Sequence, residues 1–305
     1  MRMDRFDLNL LVVLDVLLEE KNVTRASVRL NMGQSAASGA LARLREYFGD
    51  ELLVMVGRRL MLTPLAETLV EPVRDTLLKA RATIAKKPAF DPATEERRFV
   101  IIVSDYVTTV MLAQALRNIA KMAPNITLEL RGPPPNMFEE FDRGGIDLMV
   151  LPDQYLSSVD HSSAPWFDDK QVCMVCAENL AVGEVLSFDT YMAMGHVAVR
   201  FGNERSIPFE EWFLPRYGKQ RRVEASVDNF SMLPLLVMGT QRIATLHQRL
   251  ANHFAERYPV RLIDAPFVMP PLVEVMCWPR YLDQDPAHVW LRQMLTETAT
   301  ARPAL

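Results

Sequence analysis

The chain has little that would make it an enzyme, a membrane protein or a secreted one. It holds three cysteines in 305 residues, Cys173, Cys176 and Cys277, too few for a disulfide framework. Cys173 and Cys176 form a CxxC, but QVCMVC reads as a strand, where side chains three apart point to opposite faces. They are expected to be buried and structural, with no metal between them. No apolar run approaches the length needed to span a bilayer; residues 8–18 come nearest and are interrupted by Asn9 and Asp15. The same stretch lacks the small-residue cleavage site of a signal peptide. A cytoplasmic protein without a membrane partner is expected. His161, His196, His247, His253 and His288 are scattered and form no HxxxH or HExxH pair. No GxSxG, glycine-rich phosphate loop or internal repeat is present. No catalytic residue, metal or cofactor is therefore expected.

A strong charge of either sign is also missing, since the net charge is −4. That figure hides an asymmetry. Residues 1–87 carry 14 Lys and Arg against 11 Asp and Glu, and the rest carries 20 against 27. A mildly basic N-terminal module on an acidic body suits an N-terminal domain on DNA and a body that stays off it.

What the sequence does have is concentrated in residues 23–48, VTRASVRLNMGQSAASGALARLREYF. This stretch reads as two helices around a tight corner. Thr24 stands where an N-cap would, and Val28 and Leu30 would anchor the first helix. Asn31, Met32 and Gly33 break the pattern. In the second helix Ala37, Leu41, Leu44 and Phe48 recur at spacings of three and four, which makes one buried stripe. The opposite face carries Gln34, Ser35, Ser38, Arg43 and Arg45, with small Ala36 and Gly39 keeping the first turns slim. A slim polar helix start with flanking arginines is what a major groove admits.

Around it, residues 7–20 form an apolar-striped helix with Asp7 as N-cap. Residues 52–56 and 60–62 are short strands about a basic tip, Gly57-Arg58-Arg59. Thr63-Pro64 starts a long helix over residues 64–86, with Thr63 as N-cap and Pro64 at its first position. Leu65, Leu69, Val73, Leu77, Ala80 and Ile84 lie along one side, and Pro72 falls inside. Residues 87–98, with two prolines and a charged cluster, read as the hinge. From Phe99 strands and helices alternate, which argues an α/β body. Its helices include residues 107–122, 188–193, 208–217, 230–238, 247–257 and 286–298. A chain segment over residues 167–177 crosses to a second lobe, and residues 270–278 return.

The run Ala26, Leu30, Gln34-Ser35-Ala36-Ala37-Ser38, Leu41, Leu44-Arg45, Phe48-Gly49, followed by Leu52-Leu53, Gly57-Arg58-Arg59 and Leu62-Thr63-Pro64, resembles the winged helix-turn-helix of LysR-type transcriptional regulators. The runs RFVIIVSDYVTTV, GGIDLMVLP, YMAMGHVAVRFG, EEWF, RIAT, RLANHF and DPAHVWLRQML are similar to the nodulation-D branch and its relatives that control aromatic catabolism. The resemblance covers almost the whole chain. It implies an α/β protein with a winged helix-turn-helix over residues 1–63, a linker (dimerisation) helix over 64–87, and a two-lobed, periplasmic-binding-protein-like effector domain over 88–305. Lobe I would take residues 98–167 and 269–305, and lobe II residues 168–268. It implies a regulator, expected to activate, with double-stranded promoter DNA, a small aromatic effector and RNA polymerase as partners.

DNA contacts are expected from Thr24, Gln34, Ser35, Ala36, Ser38 and Arg43, with Arg58 and Arg59 on the backbone. Where family members usually carry an arginine, this chain has Met55, as nodulation-D-like members also depart. In the family the linker helix packs antiparallel on a second subunit, which implies a homodimer, typically assembled into a homotetramer. Carried over from aromatic-responsive relatives, the pocket residues are Ser104, Thr108, Phe201, Asn229 and Phe230, with Pro152 and Val273 behind them. Residues 104–109 end a strand and begin a helix, so their hydroxyls and free N–H groups would suit a phenolate or carboxylate. Two other readings stay open. One is a constitutive repressor with a vestigial pocket; the other is a small-molecule-binding protein that does not act on DNA.

Overall fold

The computed structural model describes residues 6–57, 59–84, 90–156, 161–200 and 216–300. The chain divides into two compact units, Met1–Lys87 and Pro88–Leu305.

The first unit is built on α1 (Asn9–Glu20), α2 (Val23–Arg29) and α3 (Gln34–Phe48). Asp7 accepts the Asn9 N–H at 3.0 Å, just ahead of α1. The cap of α2 is not Thr24 but Asn22, whose side chain accepts the Arg25 N–H at 2.9 Å. Asn22 has the extended backbone an N-cap needs, and Thr24 is already helical. Val28 is no anchor either: it is 73% exposed, and Ala26 and Ser27 make the buried side of α2. The corner passes through Asn31 at φ 51° and reaches Gly33, the cap of α3. Gly49, at φ 61°, ends α3 with its N–H on the Arg45 carbonyl.

β1 (Leu53–Val56) and β2 (Arg59–Leu62) pair antiparallel, with Val56 opposite Arg59. Arg58 lies outside the described residues. Leu52 sits at φ 58°, a region that costs a β-carbon about 1–2 kcal/mol. Asp50 holds it there, since one carboxylate oxygen accepts from the Leu52 N–H and the Thr63 hydroxyl, each at 2.6 Å. Thr63 in turn caps α4 (Pro64–Ile84), accepting the Ala66 N–H at 3.1 Å. The helix runs on past Pro72.

Part of the apolar stripe of α4 is covered within its own unit. Ala66, Val73 and Leu77 are buried in the same core as Leu10, Leu14 and Leu17 of α1 and Leu44 of α3. Leu65, Ala80 and Ile84 stay exposed.

The second unit has two five-stranded sheets. Lobe I has the order β4-β3-β5-β12-β6, from β3 (Arg97–Ile102), β4 (Ile126–Arg131), β5 (Leu148–Pro152), β6 (Ser162–Asp169) and β12 (Leu272–Trp278). Lobe II has the order β11-β7-β10-β8-β9, from β7 (Gln171–Cys176), β8 (Gly195–Val199), β9 (Arg222–Val227), β10 (Ile243–His247) and β11 (Val260–Asp264). The chain crosses between lobes at Lys170, between β6 and β7, and returns ahead of β12. These are the two crossings expected from the alternation. The expected helix over residues 208–217 lies almost wholly outside the described residues. β3, β4 and β5 are parallel, and β12 is antiparallel to β5 and β6. All three cysteines are buried and free, and Cys176 accepts the Gly239 N–H.

A helical run, α5 (residues 105–122), follows β3. It contains one π turn, Thr108–Leu112, between Asp105–Val107 and Ala113–Met122. One hydrophobic cluster continues through both lobes. It joins Phe99, Tyr106, Phe167 and Met276 of lobe I to Met174, Phe230, Leu233 and Leu246 of lobe II.

Candidate functional site

On α3 the burial splits as a 3.6-residue period requires. Ala37, Ala40, Leu41 and Leu44 are buried, and Gln34, Ser35, Ala36, Ser38, Gly39 and Arg43 are exposed. Gly33 supplies no side-chain cap, so the first N–H groups of the helix are open to an outside acceptor. Thr24 is exposed on α2, and Arg59 is exposed on β2 with no ion pair among the described residues. Arg43 lies 3.9 Å from Asp7, an exposed pair that contributes little. Arg45 leaves the polar face to which the spacing assigned it. It is half-buried and donates to the carbonyls of Glu51 and Leu53, each at 2.8 Å. Its work is to tie α3 to the hairpin.

In the second unit the segment that follows β3 meets lobe II. Ser104 caps α5, accepting the Val107 N–H at 3.2 Å, and Thr108 donates its hydroxyl to the Ser104 carbonyl at 2.9 Å. Asp105 reaches across to lobe II and accepts the N–H groups of Phe230 at 3.1 Å and Ser231 at 2.7 Å. Tyr106 donates its hydroxyl to Asp169 at 2.8 Å. Asp169 also accepts from the N–H groups of Lys170 at 2.8 Å and Arg249 at 3.1 Å. Burial and the Asp169 carboxylate raise the Tyr106 phenol well above its ordinary value. The Tyr106 ring lies 4.3 Å from His247, 5.8 Å from Phe230 and 6.2 Å from Phe167, centroid to centroid.

Two family descriptions match the chain: "Bacterial regulatory helix-turn-helix protein, lysR family" over residues 8–67, and "LysR substrate binding domain" over residues 92–300. The chain is a LysR-type transcriptional regulator. It is 44% identical over 301 residues to Nodulation protein D 2 of Rhizobium tropici, covering 98% of this chain and 95% of the relative. It is 42% identical over 302 residues to Nodulation protein D 1 of Rhizobium meliloti, covering 98% and 97%. Among solved structures, a probable transcriptional regulator of Pseudomonas aeruginosa superposes with a TM-score of 0.65 at 28% identity, covering 97% of this chain and 98% of that one. No described helix of the regulator is long and apolar enough to cross a membrane.

The LysR fold brings some of the expected pocket residues together and leaves others apart. Ser104, Thr108, Pro152 and Val273 are half-buried, Asn229 is exposed, and Phe230 is 9% exposed within the cluster that spans the lobes. Phe201 lies outside the described residues. At the start of α5 the Ser104 hydroxyl accepts the Val107 N–H, and in lobe II the N–H groups of Phe230 and Ser231 are taken by Asp105. The reading from sequence missed Asp105, Asp169, His247 and Glu274. The motif DYVTTV held the first in plain view, but its partner is 125 residues away.

Buried histidines of this regulator stay neutral. Burial pulls His247 down to about 3, and burial with the nearby Arg221 charge pulls His196 down to about 3. In the unfolded chain a histidine takes up a proton near 6.5. A group depressed on folding costs nothing above that value and destabilises as pH falls below it, until the folded-state value is reached. For His247 the penalty between pH 6.5 and pH 5 is on the order of 2 kcal/mol. His247→Gln should therefore lose less stability than the wild type over that interval. Urea melts of both proteins at the two pH values give the comparison, and parallel losses would show that His247 titrates normally in the fold.

Proposed function

We propose that this LysR-type regulator activates transcription from promoters it binds as a dimer of dimers, in response to a small phenolic compound. The observation that carries the DNA side is the exposed face of α3, where Gln34, Ser35, Ala36 and Ser38 stand over a buried stripe of alanine and leucine. That face, entered by open helix N–H groups, suits a major groove. Thr24 and Arg43 flank it, and Arg58 and Arg59 at the hairpin tip are assigned to phosphates or the adjacent minor groove. A single module of this size buries little DNA, so pairing across a two-fold site is required for specificity. RNA polymerase is the partner through which activation would act.

The effector reading rests on the two-lobed body and its aromatic wall. Tyr106, Phe167 and Phe230 pack on one another where the lobes meet, and the residues assigned to the rim are Ser104, Thr108, Pro152, Asn229 and Val273. Control of nodulation genes is the role that the names of the relatives suggest.

Gel shifts on the promoter beside the gene, across a salt series, test the DNA side. Arg59→Ala should weaken binding on specific and unrelated sequences alike. It should also reduce the slope of log affinity against log salt by about 0.9, the loss of one phosphate contact. An unchanged slope with lost sequence preference would mean that Arg59 reads bases. A promoter reporter with and without phenolic compounds tests the response. Activity that no aromatic compound changes would favour a constitutive repressor.

A further inference from the structure

Glu274 is a buried acid that the fold does not use. It lies on β12, opposite Pro152, the last residue of β5, on one side and Phe167 on the other. It therefore stands at the carboxyl end of the lobe I sheet, the end that faces a ligand crevice in open α/β sheets. Its side chain shares a strand face with Met276 and Trp278, which pack in the cluster that holds Tyr106. It is 3% exposed, and its Oε2 has no hydrogen-bond partner among the described residues. Asp169, its neighbour, has three donors. Leaving a buried polar atom unpaired is costly, so a fold keeps one only where something else repays it.

The surroundings limit what could pair with it. Among the described residues no cation sits against Glu274; the charges that act on it are those of Asp153 and Asp169, and with burial they raise its carboxyl to about 8. A second unpaired atom lies on the same aromatic wall: His247 Nδ1, on a ring 4.3 Å from Tyr106 and 5.3 Å from Phe230. An aromatic molecule against this wall would meet two unpaired hydrogen-bonding atoms.

We propose that Glu274 reads the effector, by hydrogen-bonding a hydroxyl of an aromatic molecule. The assignment rests on the reading of this body as an aromatic-effector domain. It adds the residue that reads the ligand.

The test uses full-length protein and two matched probes: methyl p-coumarate and its O-methyl ether. Thermal shift and calorimetric titration are the readouts. Methyl p-coumarate should bind, while the ether, which has no hydroxyl, should bind far more weakly. Glu274→Leu should melt at the same temperature as the wild type or higher without a probe, because an unpaired carboxyl has been removed. It should bind methyl p-coumarate about 10- to 100-fold more weakly. Glu274→Gln, which keeps shape and hydrogen-bonding capacity, should bind within a few-fold of wild type. A lowered melting temperature in Glu274→Leu would make the carboxyl structural and overturn the proposal. So would an unchanged affinity in that variant, or the ether binding wild type as well as the phenol does; in both cases the effector reading survives. A wild type that binds neither probe overturns the effector reading itself, and this assignment with it.

Discussion

Ser38→Glu is expected to abolish specific DNA binding while the protein stays folded. Ser38 is exposed on α3, one turn after Gln34, and the buried contacts of the helix run through Ala37, Ala40, Leu41 and Leu44 instead. Glutamate is also a better helix former than serine, so the substitution costs the fold nothing at an exposed site. On the DNA side the result is different. A carboxylate on this face enters a groove walled by phosphates, and like charges brought together there cost several kcal/mol. An affinity loss of roughly 100-fold or more follows. Gel-shift titration on the promoter measures it, with a thermal melt as the control. Retained affinity in a folded variant would place the recognition surface elsewhere on the module.

The second large effect concerns α4. Leu77→Asp is expected to unfold the N-terminal unit, not merely to separate one subunit from another. Leu77 is 8% exposed and belongs to one core with Leu10, Leu14 and Leu17 of α1 and with Val73 of its own helix. An aspartate there loses the burial of a leucine and places a carboxylate among apolar side chains with nothing to pair it. The cost of about 3–5 kcal/mol is a large share of the stability of so small a unit. Circular dichroism of the isolated residues 1–87 reports it as lost helix at room temperature. Sedimentation is the second measurement. A folded monomer would assign Leu77 to a subunit interface after all, and a folded dimer would show that the helix tolerates the charge.

Leu77 also shows where reading the sequence stops. The period of three and four along α4 is a local property of the chain, and it was enough to establish a helix with one apolar side. It says nothing about which surface covers that side. α1 covers it at Val73 and Leu77, and that is visible only once both helices are placed. Thr24 and Val28 are cases at shorter range. Several residues of this stretch can cap or anchor a short helix, and the backbone conformation at Asn22, with the closeness of α1 and α3, decides among them.

The sequence by itself determined the helix pair and hairpin of the N-terminal unit, the cap at Thr63, the exposed face of α3 and the alternation of strands and helices in the body. Each depends on residues close together in the chain: a period of two or 3.6, a breaker, or a capping oxygen. The contents of the cleft were decided by the tertiary structure alone. Asp105 holds Phe230 and Ser231 from 125 and 126 positions away, and Tyr106 is matched to Asp169 across 63. Whether a buried carboxyl is satisfied, as at Asp169, or left unpaired, as at Glu274, depends on donors delivered by distant strands. Hydrogen bonds are made over about 3 Å, and no pattern of neighbours along the chain carries that information.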